Sequence, residues 1–282
     1  MKTVTINHQV LPAVGIGTWH LGDQPQQQAK EIAAIRLGIE MGAQVIDTAE
    51  MYGNGRSEHL VAQAIKPYSW QKLFLISKVL PQNASHKRMA HSLKGSLQRL
   101  QTDYLDLYLY HWRGHVPLAE TISELQHFQD QGLIRAWGVS NFDLSDMQEL
   151  WQLPHGPNVA ANEDLYNLGS RGIEYSLFPW QQQHHLPMIA YSPVSNGDQL
   201  GAHLTQHPTV LQIAQQHQVS PYQIMLAWTI SHPNILAIPK TSQPQHMQDN
   251  LAALNLNLSA AELAALDQAY PAPQHKEPLD IL

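Results

Sequence analysis

Cysteine is absent from the 282 residues, which excludes disulfides, thiolate-held zinc, iron–sulfur clusters and a cysteine nucleophile. Charge is scarce as well: Asp, Glu, Lys and Arg make up 14% of the chain, against roughly 25% in an average soluble domain, and Gln and His take much of the surface role. The basic side is the shorter, 16 Lys and Arg against 23 Asp and Glu for a formal charge of −7. A nucleic-acid or anionic-membrane partner wants a basic face, so both classes are disfavoured. No uninterrupted apolar run approaches the ~18–20 residues of a membrane span. The opening Met1-Lys2-Thr3-Val4-Thr5-Ile6-Asn7-His8 lacks the apolar stretch of a secretory signal, and a cytoplasmic location is expected. What the chain does have is 43% hydrophobic residues, ample for a substantial core, and 17 histidines, whose joint titration makes its charge change steeply in mild acid.

The segment VTINHQVLPAV reads as two short alternating stretches around Asn7-His8, a β-hairpin. After it β-rich runs recur at 14–17, 44–47, 73–78, 104–111, 133–140, 158–162, 186–192 and 234–240. Helix-favouring stretches lie between them at 27–42, 56–66, 84–100, 117–131, 143–151, 170–182, 205–231 in two pieces, and 243–254. Such alternation predicts parallel β/α units, closed either as an open doubly wound sheet or as a (β/α)8 barrel. A doubly wound dinucleotide fold opens its first helix with GxGxxG; the first run here continues Gly15-Ile16-Gly17-Thr18-Trp19-His20 and breaks that pattern, so the barrel is favoured. A last helix near 259–270 and a Pro-rich coil over 271–282, lying across the fold, complete the chain. No linker, charge block or low-complexity tract divides it, and one domain over 1–282 is expected.

Barrel enzymes build their sites where strands run into the following loops. Here those points carry Thr18 and Trp19, Asp47, Lys78, His111, Ser140 and Asn141, Asn162 and Glu163, Tyr191 and Ser192, and Lys240 and Thr241. Singly each has a plain explanation, a helix cap for Ser140 or Thr241 or a solvated end for Lys78. Jointly they do not, because an unpaired Lys or Asp at the end of an apolar strand costs several kcal/mol. A phenol with a pKa near 10 donates poorly at neutral pH, but an adjacent ammonium lowers that value and a carboxylate holds the ammonium in place. Tyr52, with Lys78 and Asp47, is thus a candidate general acid, and His111 a hydrogen-bond donor to the same substrate oxygen. No strand carries H-x-H, and His111 and His115 flank a loop rather than one helix face, which disfavours a metal hydrolase. The pair His184-His185 reads as surface. Trp70, Trp137, Trp151, Trp180 and Trp228 read as packing residues, and Trp19 and Trp112 as pocket walls.

Several of these runs, in order, resemble the aldo-keto reductases. They are IDTAEMYGNG with SEHLVAQAI after it, LFLISKV, YLDLYLYHW, GLIRAWGVSNF, LYNLGSRGIEYSLFPW, MIAYSPV and AIPKTSQPQHMQDN. The likeness runs from Leu11 to about Tyr270 and is nearest to small bacterial reductases of methylglyoxal and 2,5-diketogluconate type. It implies a catalytic set of Asp47, Tyr52, Lys78 and His111, and reduction of small aldehydes, ketones or dicarbonyls with NADPH, NADH being the less favoured alternative. A non-catalytic nicotinamide-binding protein on the same fold is the competing reading. The resemblance further implies Ser140, Asn141 and Glu163 at the carboxamide, Tyr191 stacked on the nicotinamide, and Ser192, Pro193 and Val194 along the pyrophosphate. It also implies Lys240, Thr241 and His246, flanked by Pro239 and Ser242, at the 2′-phosphate, and Asp249 and Asn250 at the adenine. Gly17, Thr18 and Trp19 complete the cofactor contacts, and Trp19, Tyr52, His111 and Trp112 face the substrate. No metal, nucleic acid or membrane is implied, and a monomer is expected.

Two positions depart from the family pattern: Glu163 stands where Gln is usual, and His246 where Arg is usual. A carboxylate at 163 accepts from the carboxamide and adds negative charge beside a ring that is cationic only when oxidised. The alternative for Glu163 is exposure to solvent or pairing with a nearby cation such as Arg135 or Arg171. At 246 an imidazole carries charge only when protonated, so NADPH preference should strengthen in mild acid.

Overall fold

The structure, a computed structural model, describes residues 1–195 and 203–282. Thr3–Ile6 (β1) and Gln9–Pro12 (β2) form the expected antiparallel hairpin. Asn7 and His8, at φ 45° and 63°, supply the two left-handed residues that such a tight turn requires. The chain then alternates: β3 (Ile16–Gly17), α1 (Gln28–Glu40), β4 (Val45–Asp47), α2 (Arg56–Ile65), β5 (Phe74–Val79), α3 (His86–Leu100), β6 (Leu105–Tyr110) and α4 (Leu118–Asp130). The second half runs β7 (Ile134–Ser140), α5 (Leu144–Trp151), β8 (Asn162–Leu165), α6 (Leu177–Gln183), β9 (Met188–Tyr191), α7 (Pro208–His217), α8 (Pro221–Thr229), β10 (Ile235–Ala237), α9 (Pro244–Ala252) and α10 (Ala260–Ala269).

From β3 to β10 each strand pairs in parallel with the next. The first and last are joined by Gly15 N–H to Ala237 O at 2.8 Å, Ala237 N–H to Ala13 O at 2.9 Å and Gly17 N–H to Pro239 O at 3.1 Å, closing the (β/α)8 barrel. A Cβ on Gly17 would lie 2.5 Å from Ile238 O, so the two strands meet this closely only because a glycine stands there. Helix starts follow local chemistry: Ser220 and Ser259 form capping boxes with Gln223 and Glu262, and Pro stands in the first turn of α7, α8 and α9.

Side chains alternate across each strand, and both faces are buried. The outward face joins the helices in one apolar cluster, with Leu75, Val79, Tyr108, Trp137 and Val139 among its strand residues. Inward, Val45, Phe74, Ile76, Leu107, Leu109, Ala136, Ala161, Ile189 and Leu236 form a second cluster. Val4, Ile6 and Leu11 of the hairpin belong to that inner cluster, so the hairpin is a stopper in the floor of the barrel. Trp137 and Trp228 are fully buried, and Trp151 packs edge-on against Trp180, as their sequence contexts predict. His184 differs from its surface expectation: its ring stacks on Trp180 at 3.9 Å.

Two elements are displaced from their expected ranges. The strand expected at 158–162 begins at Asn162 and ends at Leu165. Gly156–Asn158 is a 3₁₀ turn seated so tightly that a Cβ on Gly156 would lie 1.8 Å from Leu150 O. The true strand, Asn-Glu-Asp-Leu, is buried throughout and hides from an apolar-pattern reading because its side chains are polar. The helix expected over 170–182 is formed only from Leu177 to Gln183. The residues before it are held in turns in which Arg171 bonds Glu174 and Asp267.

Candidate active site

The two-residue alternation that fills the barrel with apolar side chains also sets its upper layer. Two residues beyond Val45, Ile76, Leu109, Ala161 and Ile189 stand Asp47, Lys78, His111, Glu163 and Tyr191. Lys78 is fully buried, and its ammonium donates to Asp47 Oδ1 at 2.5 Å, Tyr52 Oη at 3.1 Å and the Thr48 carbonyl at 3.3 Å. Tyr52 reaches it from a short turn after β4, in which Gly53 and Asn54 take left-handed backbone. The His111 ring meets Tyr52 edge-on, centroids 5.9 Å apart, and its Nδ1 is buried without a partner.

Burial pushes the His111 pKa down to about 2, helped by the Lys78 charge, so the imidazole is neutral. Tyr52 departs from expectation. Burial raises its pKa, and the lowering by Lys78 is opposed by Asp47 and Glu163. Burial outweighs the ammonium's pull, so the phenol stays protonated at neutral pH in the resting site. Glu163 pairs with a nearby cation, as one of its alternatives allowed, but the cation is Lys78 instead of Arg135 or Arg171. Glu163 is 2% exposed, and its Oε1 lies 3.3 Å from Lys78 Nζ. Arg171 is bound to Glu174 and Asp267, and Arg135 stacks over Tyr104.

These groups form the floor of a cavity of about 710 Å³ that opens at the strand ends. Of the expected site residues, Gly17, Thr18, Trp19, Asp47, Tyr52, His111, Trp112, Ser140, Asn141 and Glu163 line it. So do Tyr191, Ser192, Pro193, Val194, Pro239, Lys240, Thr241, His246, Asp249 and Asn250. Lys78 lies behind its wall and acts through what it touches, and Ser242 is not among the lining residues. Thr18 spends its hydroxyl on the Asp47 carbonyl at 2.8 Å. Ser140 donates to the Glu163 carbonyl, and Asn141, held at φ 56°, donates to the His111 carbonyl and accepts from Tyr191 Oη at 2.8 Å.

The sequence reading did not name Met51, Thr205, Ser220, Pro221, Tyr222, Ile238, Ile281 and Leu282, which also line the cavity. For Ser220 to Tyr222 a signal existed: the capping box S-x-x-Q marks a helix start, and helices that return down a barrel start at the strand-end face. The expected coil over 271–282 crosses the same face, tied by Lys276 to Asp143 at 2.6 Å and by Asp280 to Ser170 at 2.5 Å. The loop expected to leave the pocket open, 192–203, falls partly outside the described residues. Among the described residues no three His, Asp or Glu gather as metal ligands, and no helix is long and apolar enough to cross a membrane.

The cavity fits an extended dinucleotide phosphate. Lys240 is exposed and has no ion-pair partner among the described residues; it precedes α9, whose first turn carries no acid, an arrangement suited to a phosphate. At the other end, near the floor, His111 Nδ1 and Glu163 Oε2 are buried without a hydrogen-bond partner.

A buried acid, lysine, phenol and neutral imidazole at the strand ends define a barrel enzyme built for proton transfer to an oxygen. The chain belongs to the aldo/keto reductase family, whose sequence profile matches residues 13–271, and it is an oxidoreductase. It is 50% identical over 272 residues to methylglyoxal reductase YeaE of Escherichia coli K12, covering 96% of this chain and 95% of that one. It is 30% identical to methylglyoxal reductase DkgB of Escherichia coli O157:H7, over 91% of this chain and 93% of the relative. In structure it matches an aldo-keto reductase from Klebsiella pneumoniae solved in complex with NADPH, with a TM-score of 0.97 and 46% identity over 100% of both chains.

Proposed function

We propose that this protein reduces small aldehydes and dicarbonyls such as methylglyoxal to alcohols, using NADPH. The observation that carries the reading is the buried contact of Lys78 with both Tyr52 Oη and Asp47 at the cavity floor. A carbonyl oxygen seated between Tyr52 and His111 accepts a hydrogen bond from each. Bound NADPH supplies the hydride that the carbonyl carbon needs. Tyr52 gives its proton to the oxygen, and the phenolate left behind faces the Lys78 ammonium, which Asp47 holds in place. Lys78 therefore stabilises charge that appears only during the reaction, although it does not acidify the resting phenol.

Ser140 and Asn141 are assigned to the carboxamide, Tyr191 to the face of the nicotinamide, Ser192 to Val194 to the pyrophosphate, Lys240 and Thr241 to the 2′-phosphate, and Asp249 and Asn250 to the adenine. Trp19 and Trp112, both half-buried on the cavity wall, are assigned to the substrate. The names of the YeaE and DkgB relatives support the dicarbonyl class, and the NADPH-bound Klebsiella structure supports the cofactor. The protein is read as one domain over 1–282, monomeric and cytoplasmic.

Steady-state kinetics over aldehydes, dicarbonyls, sugars and steroids, followed by NADPH absorbance with a chelator present, test the proposal. NADPH consumption fastest with small dicarbonyls is expected. A clear steroid preference defeats the substrate class, and binding of NADPH without turnover of any carbonyl favours the non-catalytic reading.

A further inference from the structure

Glu163 is the one acid on the cavity floor without a task in the reaction above. It projects inward from β8, and its Oε2 is buried with no donor to satisfy it. The Lys78 ammonium has three hydrogens for four acceptors, Asp47, Tyr52, the Thr48 carbonyl and, at 3.3 Å, Glu163 Oε1, so Glu163 has at most a shared, longer hydrogen bond while Asp47 holds the short one. The Asp47 carboxylate, an acceptor, lies within hydrogen-bonding reach of the Glu163 carboxyl. Two carboxylates in contact around one ammonium leave a sealed net charge of −1, and a single proton removes it. Asp47 owns the short bond to Lys78, so the proton belongs on Glu163, where it also satisfies the orphaned oxygen.

The other groups that face Glu163 do not supply a competing charge in the neutral range. Tyr52 and Tyr191 are held protonated by burial. Asp164, on the opposite face of the same strand, is buried and pushed well up, and its charge when ionised adds to the rise at Glu163, a contribution that meets both cofactor forms alike. His111, on the same floor, is neutral. Burial and the Asp47 charge raise the Glu163 pKa to about 8.

A hydride donor must come within bonding reach of the carbon whose oxygen takes the Tyr52 proton, which places the nicotinamide over this floor and beside Glu163. Taking the cavity as the nicotinamide site proposed above, we propose that Glu163 is a proton-exchanging sensor of cofactor charge. It holds its proton when the cavity is empty or holds the neutral reduced ring, and loses it when the cationic oxidised ring binds. Uptake of NADP⁺ therefore expels a proton to solvent that uptake of NADPH does not.

Isothermal titration of NADP⁺ and of NADPH into the purified protein, in buffers of differing ionisation enthalpy, counts the protons. The expected result at about pH 7.5 is about half a proton more released with NADP⁺ than with NADPH, given a free-site pKa of about 8 and a tenfold displacement by the oxidised ring. The ratio Kd(NADP⁺)/Kd(NADPH) should fall about tenfold on raising pH through the neutral range, the equivalent of one unit of pKa displacement, and level off above about pH 8. The 2′-phosphate and His246 meet both forms alike and cancel in the ratio. In Glu163→Gln, close in shape, the proton difference vanishes and the ratio becomes flat. Equal proton counts in the wild type, or a difference that survives in Glu163→Gln, overturn the proposal alone. Failure of either nucleotide to bind overturns the cofactor reading and this proposal with it.

Discussion

Tyr52 and Lys78 divide one task between a group that moves a proton and a group that holds the resulting charge. Tyr52→Phe keeps the ring against His111 and removes the proton, so turnover should fall by at least ~10² while a fluorescence titration shows NADPH still bound. Lys78→Met removes the cation shared by Asp47 and Glu163, both buried. Breaking a buried pair in this way costs about 3–5 kcal/mol, and protonating the stranded Asp47 in acid returns part of it. Urea titrations at neutral and mildly acidic pH test this: a loss equal at both means that Asp47 does not depend on Lys78. The identities of Lys78, Asp47 and Glu163 were legible in the sequence because they stand where apolar strands run into loops, and that of Tyr52 because it follows Asp47 in the next loop. Their protonation was not. The lowering of the Tyr52 pKa by Lys78 is outweighed first by burial of the phenol and then by the carboxylates around the ammonium, and that burial exists only once the barrel is closed around the site.

At the scale of elements, alternating apolar runs and amphipathic stretches were enough to place seven of the eight barrel strands and most helices, since both depend on periodic burial of local side chains. They failed at β8, where the buried side chains are Asn, Glu and Asp, and at α6, where tertiary contacts of Arg171 replace helix over 170–176. The closing seam was invisible too, being made by backbone groups. It yields to substitution at its glycine: Gly17→Ala sets a Cβ 2.5 Å from Ile238 O and should cost about 1–3 kcal/mol as an overpacked contact. NADPH affinity should weaken with it, because Gly17 pairs with Lys240 across the seam. Unchanged stability and affinity together would show that β3 and β10 slide apart without penalty. In the hairpin, Ile6 is fully buried in the barrel floor, and Ile6→Ala should cost about 2–5 kcal/mol in urea unfolding.

For the molecule as a whole, Glu163 ties stability to pH. Its pKa is about 8 in the folded state and about 4.3 unfolded, so the native state binds the proton more tightly. Stability therefore falls as pH rises between those values and levels above the upper one. Asp106, raised by burial to about 6, contributes in the same sense at lower pH. His111, held neutral, acts oppositely as pH falls through the unfolded imidazole range, near 6.5. Asp47 and Asp164, also raised by burial, act in the same sense as Glu163. Between about pH 7 and about pH 8 the Glu163 share is about 1 kcal/mol, roughly 2 °C of melting temperature, by which the fall in Glu163→Gln should be smaller. The hairpin stopper carries a consequence for the order of assembly. Its backbone is tied to the far end of the chain, Lys2 N–H to Leu254 O at 3.3 Å, and the Lys2 ammonium to the Ala227 carbonyl at 3.2 Å. On a ribosome the stopper is made before any barrel strand, yet its seat is finished only when Leu254 has emerged. Val4, Ile6 and Leu11 must wait with their apolar faces uncovered until the barrel strands that follow them are made, so a segment made before the barrel is among the last to be secured, and a nascent chain stalled short of Leu254 should offer it to chaperones.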